Sequence, residues 1–213
     1  MLADWKQQII PNQTMSINLP HDQSSILPSG RVSSAEILKL EHASSTNECY
    51  VVSDLVEFDT YFTNLSTLVH LKLDTSCIIA PSLFSQLLNI APRLTRLTIS
   101  SSPNHLRRMM DFKYPQILWL DMRREYLPSK IRTAFCSAFP CLEHLMNCYV
   151  YSEEDLEVLI ENLKRLQNLT VRVQSYYFDS NDEFRQWVKE HTHLRNFTFR
   201  LIDERRINLW IGN

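Results

Sequence analysis

Apolar residues along this chain alternate between two periods. From Ser152 to Val173 the sequence reads SEEDLEVLIENLKRLQNLTVRV. Leu156, Leu159, Ile160, Leu163 and Leu166 recur at the spacing that places them on one face of an α-helix. Ser152, with Asp155 three residues on, predicts a capping box at its start. Leu166, Leu169 and Val171 then fall in the pattern L-x-x-L-x-L, and Val173 continues the alternation of a strand. Neither half can bury its apolar side alone, so the unit requires neighbours of its own kind.

Those neighbours follow one another along the sequence. AEILKL places Leu38 and Leu40 at inward strand positions, and Val52, Leu55, Phe58, Phe62 and Leu65 then predict a helix. LVHLKL carries Leu68, Leu71 and Leu73. IIAPSLFSQLLNIAP predicts a helix with Pro81 in its first turn and Pro92 past its end, and LTRLTI supplies Leu94, Leu97 and Ile99. The segment 101–114 is shorter and less regular. PQILWL sets Pro115, Leu118 and Leu120 on the pattern. In SKIRTAFCSAFP a helical face of Ile131, Ala134, Phe135, Ala138 and Phe139 is stopped by Pro140. LEHLMN gives Leu142 and Leu145, with Asn147 where a third apolar residue is usual. Ser180 and Glu183 predict a second capping box before Phe184, Trp187 and Val188. Leu194, Phe197, Phe199 and Leu201 continue the strand pattern, and Ile207, Leu209 and Ile211 predict a last edge strand.

The middle anchors Leu38, Leu71, Leu97, Leu118, Leu145, Leu169 and Phe197 are separated by 33, 26, 21, 27, 24 and 28 residues. Leucine-rich repeats run from ~20 to ~29 residues, so five of six intervals fit. The expectation is an α/β leucine-rich-repeat solenoid over residues 35–213, with about seven parallel strands on the concave side and helices on the convex side. A doubly wound sheet is the competing arrangement; the recurring pattern and even spacing favour the solenoid. Residues 1–34, broken by Pro11, Pro20, Pro28 and Gly30, predict a flexible arm or irregular cap.

Composition narrows the function. With 213 residues and 44% hydrophobic content, the chain can build one sizeable core. A net charge of -2 does not predict a nucleic-acid or membrane surface. No apolar run approaches the ~20 residues that span a bilayer, and MLADWKQQII lacks the features of a signal peptide. Five cysteines, an odd number, then predict reduced thiols in a cytoplasmic or nuclear protein, and the chain is expected to be a monomer. Gly30 and Gly212 are the two glycines of the whole chain. Phosphate-cradling loops, dinucleotide turns and nucleophile elbows all need glycine, so none of the three can be written here.

The long, irregular helix-and-strand repeats resemble the leucine-rich-repeat region of F-box proteins, carried by APRLTRLTI, FPCLEHL and the closing LWIGN across roughly residues 35–213. The resemblance implies that the repeats hold a substrate for a ubiquitin ligase, while an F-box docks the ligase scaffold. An F-box opens with Leu-Pro and continues as helices. Here Leu19-Pro20 is followed by His21, Asp22, Gln23 and Pro28, so the F-box itself is not seen, and scaffold binding requires one upstream. A free-standing repeat scaffold with no ligase link is the alternative.

Candidate chemistry is sparse. Cys136, Cys141, His144 and Cys148 offer four soft ligands within thirteen residues, but spread over a helix, a stop and a strand rather than in close C-x₂₋₄-C pairs. Asp74 and Asp121 sit at equivalent strand positions two strands apart, ~10 Å, which is marginal for a pair of catalytic carboxylates. The expectation is therefore no catalysis, no metal and no cofactor, with a zinc-binding or enzymatic use of the Cys136–Cys148 cluster as the lesser alternative.

What remains is the outward face of the strands. Its central column is expected to carry Lys72, Trp119 and Met146; the column before it Arg96, Ile117 and His144; and the column after it Asp121, Arg172 and Arg200. Trp119, Ile117 and Met146 form an apolar patch suited to anchoring a protein partner. The third column runs from acidic to basic, a gradient that would orient that partner.

Overall fold

The computed structural model describes residues 14–19, 36–42, 50–52, 65–74, 77–100, 103–123, 126–174, 178, 180–203 and 206–212. It is an α/β protein whose strands are mostly parallel, and it divides into two compact units, Met1–Leu97 and Thr98–Asn213. The expected arm is represented by one described stretch, Thr14–Leu19, which forms strand β1. No helix among the described residues is long and apolar enough to cross a membrane.

In the first unit β1 pairs in parallel with β2 (Ile37–His42), and β2 with β4 (His70–Leu73), placing Leu38 opposite Leu71 and Leu40 opposite Leu73. All four leucines are buried. β6 (Arg96–Ile99) lies next to β4 in the strand order and crosses the division between the units. Two short strands, β3 (Tyr50–Val52) and β5 (Cys77–Ile79), pair separately in parallel. Val52 therefore begins no helix but ends a strand, and the rest of that expected helix, up to residue 64, lies outside the described residues. Helix α1 spans Pro81–Ile90. Pro81 occupies its first turn, where a missing N–H costs nothing. Leu83, Phe84, Leu87 and Leu88 form its buried face.

In the second unit the order is β7 (Trp119–Met122), β8 (His144–Val150), β9 (Asn168–Val173), β11 (Arg206–Ile211) and β10 (Phe197–Asp203). β7, β8 and β9 are parallel. The last strand is not an edge: β11 pairs antiparallel with both β9 and β10. Sequence order alone hides this, because alternation states which face a residue takes and not which strand it meets. Leu120, Leu145, Leu169, Leu209 and Phe199 stand side by side across the five strands. Helix α2 covers Pro103–Met109, α3 Arg132–Ala138, α4 Glu153–Asn162 and α5 Asn181–His191. Phe135 from α3, Leu156, Leu159 and Ile160 from α4, and Phe184 and Val188 from α5 are buried.

The repeat register differs from the expected one in β7. The expected anchors were Pro115, Leu118 and Leu120; the buried set is Ile117, Leu120 and Met122, while Leu118 is half-exposed. Leu120, not Leu118, faces Leu145. A recurring turn explains the choice: an N–H donates to the carbonyl three residues back at Leu68→Leu65, Leu94→Ala91, Ile117→Tyr114, Leu142→Phe139 and Leu166→Leu163. These turns recur at 26, 23, 25 and 24 residues, more evenly than the pattern alone suggested.

The capping boxes are realised unequally. At α5 the Glu183 N–H donates to Ser180 Oγ at 3.1 Å. At α4, Asp155 instead accepts from Ser152 Oγ at 3.0 Å and from the Tyr151 N–H at 2.9 Å. Its carboxylate turns away from a simple cap because Arg132 of α3 is ion-paired with it, both side chains being buried.

Candidate functional site

Alternation gives the five strands of the second unit one face carrying the leucine ladder and one carrying mostly polar and aromatic groups. Register sorts the second face into rows. The first row runs Trp119, His144, Asn168, Trp210 and Thr198. Trp210 and Thr198 are exposed; Trp119, His144 and Asn168 are half-buried. The second row runs Asp121, Met146, Thr170, Asn208 and Arg200, with Thr170 Oγ donating to Met146 Sδ at 3.6 Å. The third row is Tyr149, Arg172, Arg206 and, at the matching position of β10, Asp203.

An irregularity in β8 creates that third row. Leu145 faces Leu169, yet Cys148 faces Val171, so β8 holds one residue more than β9 over the same span. Asn147 absorbs the difference with φ 54°, a left-handed conformation that asparagine tolerates better than most residues. Cys148 thereby turns inward and is fully buried, and Tyr149 turns outward beside Arg172. The Asn147 amide reaches back and donates to Asp121 Oδ1 at 2.7 Å.

Around this bulge lies a pocket of about 380 Å³ lined by Arg123, Asn147, Tyr149, Thr170, Arg172 and Arg206, with a flank from Val171. Asp121, only 3% exposed, backs it and accepts from Arg123 Nε at 2.9 Å. Arg172 donates to the Tyr149 hydroxyl at 3.3 Å and lies 5.7 Å from the centre of its ring. A shallower depression of about 590 Å³ opens on the first row, lined by His144, Asn168, Thr198 and Trp210 among others. The amide oxygens of Asn168 and Asn208 are buried without a hydrogen-bond partner.

The expected site residues divide accordingly. Trp119, His144, Met146 and Arg172 lie on this face. Ile117 does not: the register puts it in the core, fully buried, so it anchors no partner. Trp119 and Met146 stand in different rows rather than one column, because Leu120 and not Leu118 is the middle anchor. Asp121 is not an exposed contact but a buried acceptor that positions Arg123 and Asn147. Arg200, exposed on β10, faces Asn208 and not Arg172, so the expected charge column is broken. Lys72, half-buried opposite Lys39, and exposed Arg96 belong to the first unit and take no part in these rows.

The Cys136, Cys141, His144 and Cys148 set does not converge. His144 and Cys148 leave opposite faces of β8, and among the described residues no three His, Cys, Asp or Glu side chains are grouped to hold a metal ion. Burial pushes the Cys136 thiol up to about 12 and raises that of Cys148 further, the reverse of what a metal ligand or nucleophile needs.

Arg123, Asn147, Tyr149, Arg206 and Trp210 were not among the expected site residues. One signal was present: Asn147 in the third apolar slot, followed by Cys148 and Val150, fits a strand with one inserted residue. Comparison with known protein families, with curated proteins and with solved structures finds no match to this chain.

Proposed function

We propose that this chain is a leucine-rich-repeat module that recognises a protein partner through the open face of β7, β8, β9, β11 and β10. Its role is that of the substrate-holding part of an F-box-type ubiquitin-ligase adaptor. The observation that carries the reading is the first row, in which Trp119 and Trp210 flank His144 and Asn168 on the sheet face opposite the leucine ladder. Tryptophan bodies beside polar groups are what partner-binding hot spots are made of. The evenly spaced turns that restart each strand support the repeat assignment. The ligase role rests on the resemblance of the repeats. The reading assigns no reaction, metal or cofactor to the chain.

The test is chemical cross-linking and affinity capture with the full chain, comparing wild type with Trp119→Ala, Trp210→Ala and, on the exposed side of α5, Glu190→Lys. A partner retained by wild type and Glu190→Lys and lost by both tryptophan variants is the expected result. A partner held equally by all four would overturn this face as the docking surface. The adaptor role requires in addition that the captured complex contain the ligase scaffold once an F-box is supplied upstream.

A further inference from the structure

The sheet stops at β10 with its backbone unfinished. β10 pairs with β11 on one side, and among the described residues no strand pairs with it on the other. Two hydrogen bonds fix which of its backbone groups are left over. The Gly212 N–H donates to the Asn196 carbonyl, whereas the Ile211 N–H donates away from β10, to Gln167. The N–H and C=O groups of successive strand residues point to alternate sides. Thr198 and Arg200 therefore face β11, and Phe197, Phe199 and Leu201 turn their N–H and C=O groups to the open edge. Their side chains continue the apolar side of the sheet but stay half-exposed, while Leu209 and Leu169 beside them are buried. Natural edge strands are guarded by lysine, proline, an inward-pointing charge or a bulge. From Phe197 to Leu201 β10 has none of the first three, and its register shift comes only after Leu201. Arg185 of α5, 5.2 Å from the centre of the Phe199 ring, covers the face of that ring and not its backbone.

We propose that this edge pairs with the same edge of a second copy of the chain, antiparallel about a two-fold axis at Phe199, so that two sheets become one. The stretch FTFRL is complementary to itself in this register: Phe199 meets Phe199, Phe197 meets Leu201, and Thr198 meets Arg200. Every outward N–H of Phe197, Phe199 and Leu201 then finds an outward carbonyl of the other copy. Apolar side chains stand opposite apolar ones, and no charge faces its like. The neighbouring registers do worse. An axis at Arg200 sets two guanidinium groups opposite one another, and an axis at Leu201 sets Arg200 against Ile202. An axis normal to the sheet also keeps the leucine side of one copy continuous with that of the other, and leaves the opposite face open. A five-residue edge is small beside the ~1,200–2,000 Å² of a stable interface, and two Arg185 side chains approach the same axis. The association is therefore weak, and the monomer expected from the sequence is its dilute form.

The test is sedimentation equilibrium of the full chain from about 1 μM to about 1 mM, a range that brackets a weak dissociation constant. Wild type should pass from monomer to dimer and go no further, because a two-fold contact closes on itself. Leu201→Pro removes an N–H that faces the open edge and none that bonds β11, so the monomer should keep the wild-type circular dichroism spectrum. Its dissociation constant should rise at least about tenfold above that of Leu201→Ala, which loses the same side chain and keeps the N–H. Register is read separately. Thr198 of one copy and Arg200 of the other form a close pair, ~4.5 Å between Cα atoms and within disulfide reach. Under mild oxidation an equimolar mixture of Thr198→Cys and Arg200→Cys chains should therefore cross-link, and either variant alone should remain at the wild-type level. A wild type that stays monomeric throughout the range would overturn the proposal. So would a Leu201→Pro variant that dimerises as well as Leu201→Ala, or an Arg200→Cys variant that cross-links to itself as readily as the mixture does. If the wild type is monomeric and Leu201→Pro instead abolishes capture of a protein partner, the edge takes that partner's strand and the two-copy pairing falls. The pairing does not depend on the docking reading: Trp119→Ala should dimerise as wild type does.

Discussion

Cys148 shows how much turns on one residue's direction. Its thiol sits on the leucine side of β8 because Asn147, one position earlier, takes up an extra residue's length in a left-handed turn. Burial then holds the proton on Cys148, and on Cys136 up to about 12. Both folded-state values lie above the unfolded one, so the thiols add stability that is complete below about pH 9. That contribution is lost as pH rises above it, because the unfolded chain ionises first. The loss is up to ~1.4 kcal/mol per pH unit for each thiol. Urea midpoints measured between pH 8 and pH 10 should fall, and Cys148→Val should show a shallower decline than wild type. A decline of unchanged slope would mean that Cys148 ionises as readily folded as unfolded. The bulge itself was half-legible: an asparagine in an apolar slot marks a break in the pattern. Which of its neighbours turns inward depends on strand β9, whose Val171 fills the facing position.

Among the elements, α3 and α4 are joined by a contact that hydrophobic periodicity cannot register. The Arg132 and Asp155 side chains are almost wholly buried, and two further Arg132 nitrogens, Nε and Nη2, have no hydrogen-bond partner. Such a pair adds little net stability, but halving it strands a charge in the core. Asp155→Ala should therefore destabilise the protein by about 3–5 kcal/mol, and the double variant Arg132→Met/Asp155→Leu by much less. Denaturant unfolding of both variants decides this; a double variant as unstable as the single one would show that the ion pair itself holds the helices together. Asp155 was legible as a capping residue from its place after Ser152. Its partner was not, because the two are brought together by packing of α3 against α4.

Across the whole molecule, a net charge of -2 conceals a local concentration of arginine. Arg123, Arg172 and Arg206 are scattered over more than eighty residues and meet because β7, β9 and β11 lie close in the sheet. Interactions of exposed charges are screened over about 8 Å at physiological ionic strength, whereas burial of indole surface is not. Partner affinity should accordingly weaken several-fold between 0.05 and 0.5 M salt, a slope that Arg172→Gln flattens and Trp210→Ala leaves in place while lowering affinity throughout. Titration calorimetry across that range checks it, and a salt-independent affinity would remove the arginine row from the interface.

The alternation of helix and strand, the leucines that face inward in most units and the stops at Pro92 and Pro140 were all written in the chain itself, since they follow from side-chain period and backbone chemistry within a few residues. The register of β7, the insertion of β11 between β9 and β10, and the meeting of the arginines were settled by folding. Each depends on which strand lies beside which, and strand pairing is a choice among distant partners that one strand's own alternation leaves open.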